Sequence, residues 1–390
     1  MGPVGRAALA VVSLIAVGCS SPAGSPDTGG PVPGLDAGGS RDAGTSMGGR
    51  FYVVGKDLVD PQGRLFFPVG ANLISSSFWD FTAQDVGFGY DHIDEVKAWG
   101  WNLVRLPEYF YPRYGAQTNE AVLDQYIDAF TAEKIVALVD FHSIESGLWP
   151  SEAQMAPAEQ EFGRLAKKYK DNPYLWFELI NEPGDPTDDG IASGKWVDLH
   201  RRLIQAIRGA GAENVIVVMG SDWGQDAQTQ AVLQKGEELR AGVCNLAFSF
   251  HVYNMWPAEG ALEAYATAAQ AKSLALIVTE AGFHDGTYEE GWTRTEVESG
   301  VRQVYRDLAP LGIGVILWHG MSATSDLYGA VVRTAGTPAQ QFGHFYLIDS
   351  NTSPTNLTAQ GALHWALTHP RPDLGAFTGK LADSHCASAQ

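Results

Sequence analysis

From about residue 50 onward, the chain alternates short apolar runs with amphipathic stretches. The runs are Phe66 to Leu73, Asn102 to Leu106, Ile135 to Asp140, Leu175 to Ile180, Val215 to Met219, Leu246 to His251, Leu276 to Thr279 and Ile313 to Trp318. Each is almost continuously hydrophobic, as a parallel strand buried on both faces must be. Between them, apolar residues three and four apart predict helices over Asp91 to Trp99, Glu120 to Glu133, Ala158 to Lys170, Lys195 to Ala210, Leu262 to Ser273 and Thr295 to Leu308. Eight strands alternating with helices predict an α/β fold, a closed (β/α)8 TIM barrel. An open doubly wound sheet is the competing arrangement, but no Gly-rich phosphate loop follows the first strand. Ahead of the barrel, Phe51 to Val54 and Leu58 to Leu65 flank turn residues and predict an N-terminal β-hairpin closing its bottom.

The pattern changes before residue 50. Residues 1–18 carry one early positive charge and the apolar run Ala7 to Val17, too short to span a bilayer and typical of an export signal. It ends in Ala16-Val17-Gly18-Cys19-Ser20, similar to a bacterial lipobox, which makes Cys19 the expected lipidation site. Residues 19–49 are dominated by Gly, Ser, Pro, Ala and Asp, the composition of a disordered tether. The barrel is expected over 50–380, with 381–390 as a C-terminal tail. The expected location is the cell envelope, as an outer-membrane lipoprotein, or the extracellular space.

Charge and cysteines narrow the partners. With 26 Lys+Arg against 45 Asp+Glu, the formal net charge of -19 repels phosphate backbones, so no nucleic acid is expected. Membrane contact is expected only through a lipid anchor, and the protein is expected to be a monomer. Beyond Cys19 the chain holds Cys244 and Cys386, which an oxidising compartment could join or leave as two thiols. Neither has zinc-ligand spacing, and neither a metal nor a cofactor is expected.

In such barrels chemistry sits at the C-terminal ends of the strands, so the polar residues that end each apolar run are informative. Arg105 ends the second, Asp140 and His142 the third, Asn181-Glu182-Pro183 the fourth, His251 and Tyr253 the sixth, Thr279-Glu280 the seventh and Trp318 the eighth. A single carboxylate at a strand end is ordinarily a cap or a salt bridge. Strands four and seven, however, face each other across the mouth, and two carboxylates so placed can flank a bond held between them.

Asn181-Glu182-Pro183 and Thr279-Glu280 in these positions resemble glycoside hydrolase family 5, cellulase-like enzymes within the larger clan of barrel glycosidases. The resemblance runs from Phe51 to about Thr368 and brings with it Arg105, His142, Asn181, Glu182, His251, Tyr253, Glu280 and Trp318. It implies a retaining glycosidase with a polysaccharide substrate, Glu182 as acid/base and Glu280 as nucleophile. Arg105 and the Tyr253 hydroxyl would keep Glu280 ionised, Asn181 would bond the sugar 2-hydroxyl, and Trp318 would lie under the sugar. Asp140 and Glu178, one layer lower, read as buried supports. Trp79, Trp149, Trp223, Trp256 and Trp292 fall in loops after strands, where several could line a sugar cleft.

The substrate expectation is a β-1,4-glucan cut internally, with a β-1,4-mannan as the alternative. His319-Gly320-Met321 after Trp318, and the loop Ser143 to Trp149, depart from the pattern of well-known relatives and leave the sugar open. A glycan-binding lipoprotein without catalysis is the alternative of another class, and a structural envelope protein a third.

Overall fold

The computed structural model describes residues 48–73, 77–78, 81–82, 93–113, 117–253, 256, 260–282, 294–318, 364 and 366–386. The chain divides into Met1–Thr45 and Ser46–Gln390. The first unit, with Cys19 and the signal and most of the tether, lies outside the described residues, as do Trp79, Trp292 and His319-Gly320-Met321.

The N-terminal hairpin forms as expected, from β1 (Tyr52–Val54) and β2 (Asp57–Val59). The barrel strands are β3 (Val69–Asn72), β6 (Leu103–Glu108), β7 (Val136–Phe141), β8 (Leu175–Glu178), β9 (Ile216–Met219), β10 (Leu246–Val252), β11 (Leu276–Ala281) and β12 (Val315–Leu317). They close on themselves with parallel pairing throughout, β12 returning to β3. A two-stranded pair, β4 (Ser77–Phe78) and β5 (Phe81–Thr82), follows β3. The helices are α1 (Ile93–Ala98), α2 (Glu120–Ala132), α3 (Glu152–Tyr169), α4 (Lys195–Gly209), α5 (Ala231–Arg240), α6 (Ala261–Ala271) and α7 (Arg294–Leu308). The (β/α)8 expectation therefore holds.

Two helices correct the sequence reading. The third begins at Glu152 rather than Ala158, because Ser151 and Gln154 form a capping box and the helix accommodates Pro157 at the cost of one backbone bond. The helix α5 was not expected; it buries only Ala231, Val232, Gly236 and Leu239, too small a stripe to stand out.

Alternation along each strand sorts side chains into two layers. Outward residues such as Val104, Val139, Phe177, Val218 and Phe248 pack beneath the helices. Inward residues Leu103, Val136, Leu138, Trp176, Val217, Ile277 and Ile316 fill the lower barrel, where Phe51, Val53, Leu58 and Phe66 of the hairpin region join them. Phe51 meets Trp176 edge-on with centroids 5.1 Å apart, so the hairpin plugs the N-terminal end. Only the top interior layer is polar.

One irregularity interrupts this order. The β10 to β11 register slips between Phe250, paired with Val278, and His251, paired with Glu280. The other neighbour records the same slip, with Val278 opposite Val315 and Ala281 opposite Leu317. Strand β11 thus carries an extra residue at Thr279–Glu280, a bulge that turns both side chains inward.

Residues 381–386, expected as a tail, pack on the hairpin instead. The turn Leu381–Ser384 sits beside Tyr52, Val54 and Val59, and Cys386 is bonded to Cys244 just before β10. The bond spans 142 residues of chain at the end of the barrel remote from the strand C-termini. Cys386→Ser is expected to lower unfolding free energy by about 3–5 kcal/mol, read as a shifted urea midpoint, without changing turnover. An unchanged midpoint would remove the bond from the account of stability.

Candidate active site

The polar top layer is organised around Arg105, which is fully buried on β6. Its Nε donates to Glu178 Oε2 at the end of β8. Nη1 donates to Asn72 Oδ1 at 2.8 Å and to Glu280 Oε1 at 2.5 Å, and Nη2 donates to Asn181 Oδ1 at 2.8 Å and lies 2.9 Å from Asp140 Oδ2. Burial opposes the guanidinium charge, but Asp140, Glu178 and Glu280 outweigh it and hold the proton firmly. Glu178 is held in turn by Ser249 Oγ at 2.5 Å and Thr279 Oγ1 at 2.8 Å. Asp140 and Glu178 are thus the buried supports expected of them.

Above this layer stand the mouth residues. Glu280 Oε2 accepts the Tyr253 hydroxyl at 2.8 Å. Burial and the neighbouring Glu280 push the Tyr253 pKa well up, so the phenol stays a donor. Glu182 Oε1 lies 2.7 Å from His251 Nδ1, and the same nitrogen is 3.5 Å from Glu280 Oε2. Burial lowers His251 to about 4, so its ring is neutral at neutral pH. His142 bonds Asp140 Oδ2 through Nδ1 at 2.7 Å and lies 3.4 Å from Asn181 Nδ2. Burial, with Arg105 and Arg113, also keeps His142 neutral. The Trp318 ring stacks on His142 with centroids 6.0 Å apart. All eight residues singled out from the sequence therefore converge on one mouth.

An oxygen of Glu182, a ring nitrogen of His251 and an oxygen of Glu280 lie within 4.8 Å of one another. So close an approach of the nearest oxygens suits two carboxyls that flank a scissile bond with no water between them, the arrangement of a retaining pair about 5–5.5 Å apart. Burial pushes both carboxyls above the usual range, Glu280 to about 7. Glu280 accepts from a cation and a phenol, whereas Glu182 meets the neutral His251 ring and the Ser146 hydroxyl, an asymmetry that favours the negative charge of the pair on Glu280 and its proton on Glu182. The same trio is the group among the described residues spaced to admit a cation. Arg105 against Glu280 opposes that use, and His142 is turned away to Asp140.

The flanking loops interlock. Trp149 donates Nε1 to Asp188 Oδ2 at 2.5 Å, and Asp188 Oδ1 accepts the Gly190 amide at 2.7 Å, so the acidic loop after β8 is bonded internally as a turn. Trp223 is half-buried and abuts Gly147, where a β-carbon would lie 2.1 Å from its Nε1. Trp256 belongs to the core rather than the cleft, packed on Phe250 and Tyr265. Loops after β6 and β7 bound a cavity of about 330 Å³ among Arg113, Glu145, Leu148 and Trp149, where Leu148 is 55% exposed. Asn72, Ser249, Met219 and Gly224 join the site without being among the residues expected there; Asn72 ends the first strand just as the other polar residues end theirs, which is a usable signal.

Residues 72–322 match the family model described as Cellulase (glycosyl hydrolase family 5). The chain belongs to glycosyl hydrolase family 5. It is 27% identical over 310 residues to a mannan endo-1,4-beta-mannosidase of Cellvibrio japonicus, covering 78% of this chain and 66% of that protein. It is 28% identical over 221 residues to endoglucanase A of Butyrivibrio fibrisolvens, covering 53% of this chain and 46% of that protein. The chain thus spans from about half to about two thirds of these relatives' length. In fold it is similar to the catalytic domain of a mannanase from Streptomyces sp. SirexAA-E, with TM-score 0.62 at 18% identity over 84% of this chain and 93% of that one. A β-mannanase from Thermomonospora fusca gives 0.61 at 19% identity over 80% and 92%.

If Arg105 is what holds the layer together, its removal strands buried carboxylates. Arg105→Ala is expected to cost about 3–5 kcal/mol of unfolding free energy in urea titration. A variant as stable as the parent would show that the layer does not depend on it.

Proposed function

We propose that the protein is a retaining glycoside hydrolase that cleaves β-1,4-linked polysaccharide internally, through a covalent glycosyl-enzyme. The observation that carries this is the close pair of Glu182 and Glu280, set in unlike surroundings. Glu280, ionised beside Arg105 and Tyr253, attacks the anomeric carbon while Glu182 gives its proton to the departing oxygen. Once Glu280 is esterified its charge is gone, the Glu182 pKa falls, and Glu182 takes a proton from the water that releases the sugar. In this reading Asn181, whose Oδ1 accepts from Arg105, donates Nδ2 to the sugar 2-hydroxyl, and Trp318 supports the ring.

For the sugar, mannan is the first reading. A relative covering 78% of this chain is named a mannan endo-1,4-beta-mannosidase, and another of that name covers 72%. Endoglucanases cover 53% and 63% at comparable identity, which keeps β-1,4-glucan as the second reading. Reducing-end release from linear mannan, galactomannan, glucomannan and carboxymethylcellulose separates them; activity on none of the four would sink both. Glu280→Ala is expected to lose at least about 10⁴-fold in kcat, as removal of a covalent nucleophile does, with folding intact by circular dichroism. An undiminished rate would dislodge Glu280 from its role.

Export with lipidation at Cys19 belongs to the same reading. It is supported by the apolar run before Cys19 and by the Cys244–Cys386 bond, which fits an oxidising compartment. Expressed in a Gram-negative host with labelled palmitate, the protein is expected to carry label that Cys19→Ala abolishes. Equal labelling of both would refute acylation at that residue.

A further inference from the structure

The turn after β9 reaches into the site in a way the strand-end pattern does not describe. Glu182 stands in the left-handed backbone region at φ 44° and precedes Pro183, whose ring already restricts it. Such a conformation persists only where the surroundings over-determine it. Here the Glu182 amide donates to the thioether Sδ of Met219 at 3.0 Å, and its carbonyl accepts the Gly147 amide at 2.9 Å. Sulfur is a weak acceptor, but Met219 is fully buried at the end of β9 and meets that amide directly.

Gly224 completes the seat. A β-carbon there would lie 2.9 Å from Met219 Sδ, 3.0 Å from Glu182 Cγ and 3.1 Å from His251 Nδ1, and Gly224 itself has φ +73°. Its carbonyl accepts the His251 amide at 2.8 Å. The turn that carries it is clamped by buried Asp226, which accepts the Tyr265 hydroxyl at 2.6 Å and the Ala231 amide at 2.6 Å. Backbone, carboxyl and imidazole of the acid site therefore all meet one small space between Met219 and Gly224.

We infer that Met219 and Gly224 are positioning residues that aim the Glu182 proton, Met219 by fixing the backbone turn and Gly224 by leaving room for the carboxyl to meet His251. The inference rests on Glu182 being the acid/base. Proton delivery requires hydrogen-bond reach of the departing oxygen, and a shift of about 1 Å costs on the order of 10²-fold. A sugar alkoxide must be protonated as it leaves, whereas a dinitrophenolate departs unaided. Misaiming the acid therefore slows poor leaving groups most.

The test is Met219→Leu, which keeps the volume and removes the acceptor, with Gly224→Ala beside it. Both are assayed on aryl β-glycosides of rising leaving-group pKa, and on an unactivated oligosaccharide, in whichever sugar series the polysaccharide panel selects. On the oligosaccharide kcat/KM is expected to fall on the order of 10²-fold, and progressively less as the leaving group improves. The slope of log kcat/KM against leaving-group pKa steepens, and the basic limb of the pH profile moves. This slope compares substrates on one preparation, so it does not depend on how much of the variant folds. A uniform loss across the series, or none, overturns the assignment. Glu182→Gln is run alongside: a uniform loss there too removes the acid/base reading of Glu182, while steepening in that variant alone removes only the positioning role of Met219 and Gly224.

Discussion

A single buried cation sets the terms for the upper half of this barrel. Arg105 has no access to water, so its charge must be answered inside the protein, and Asp140, Glu178 and Glu280 answer it from three other strands. Because each partner stands at the end of a different strand, the guanidinium acts as a gauge block that fixes their spacing. Asn72 and Asn181 take up its remaining directions, and through Asn181 the same hub sets the segment that leads into Glu182. The lower barrel needs no such device, being filled by apolar side chains and stoppered by Phe51 and Phe66.

More negative charge surrounds Arg105 than it can neutralise, and that excess has chemical use. Burial pushes Asp140 to about 7 and raises both mouth carboxyls. A proton is therefore easily retained in the layer, and the asymmetry of donors decides where. Glu280 has the cation and the phenol; Glu182 has a neutral ring and a serine hydroxyl. Difference of surroundings, not of residue type, gives two glutamates different proposed roles.

Much of this was legible because parallel barrel strands are apolar almost to their last residue, so a polar terminus is conspicuous. His142, Glu182, His251, Tyr253 and Glu280 stand out that way and Asn72 fits the same rule, whereas Arg105 stands out as a charge inside β6, three residues before its end. Less visible were features that depend on space rather than pattern. Gly224 matters for an absent side chain, and Met219 reads as one more apolar core residue. Helix α5 hid because a stripe of Ala, Val, Gly and Leu on ten residues carries little contrast, and Pro157 concealed the first turns of α3, where the capping box of Ser151 outweighs a single missing bond. The Cys244–Cys386 pairing depends on where residue 386 docks, which spacing along the chain does not contain.

The bulge in β11 works as a half-period phase shift. In a regular strand Thr279 and Glu280 would face opposite sides, one toward the barrel axis and one toward the helices. The extra residue lets neighbours in sequence serve adjacent floors of the same interior, Thr279 steadying Glu178 below and Glu280 opening to the mouth above. Deleting one residue here would restore the simple alternation and rotate the carboxylate into the oily seam beneath the outer helices. The strand's imperfection is thus the coordinate on which the whole mouth is registered.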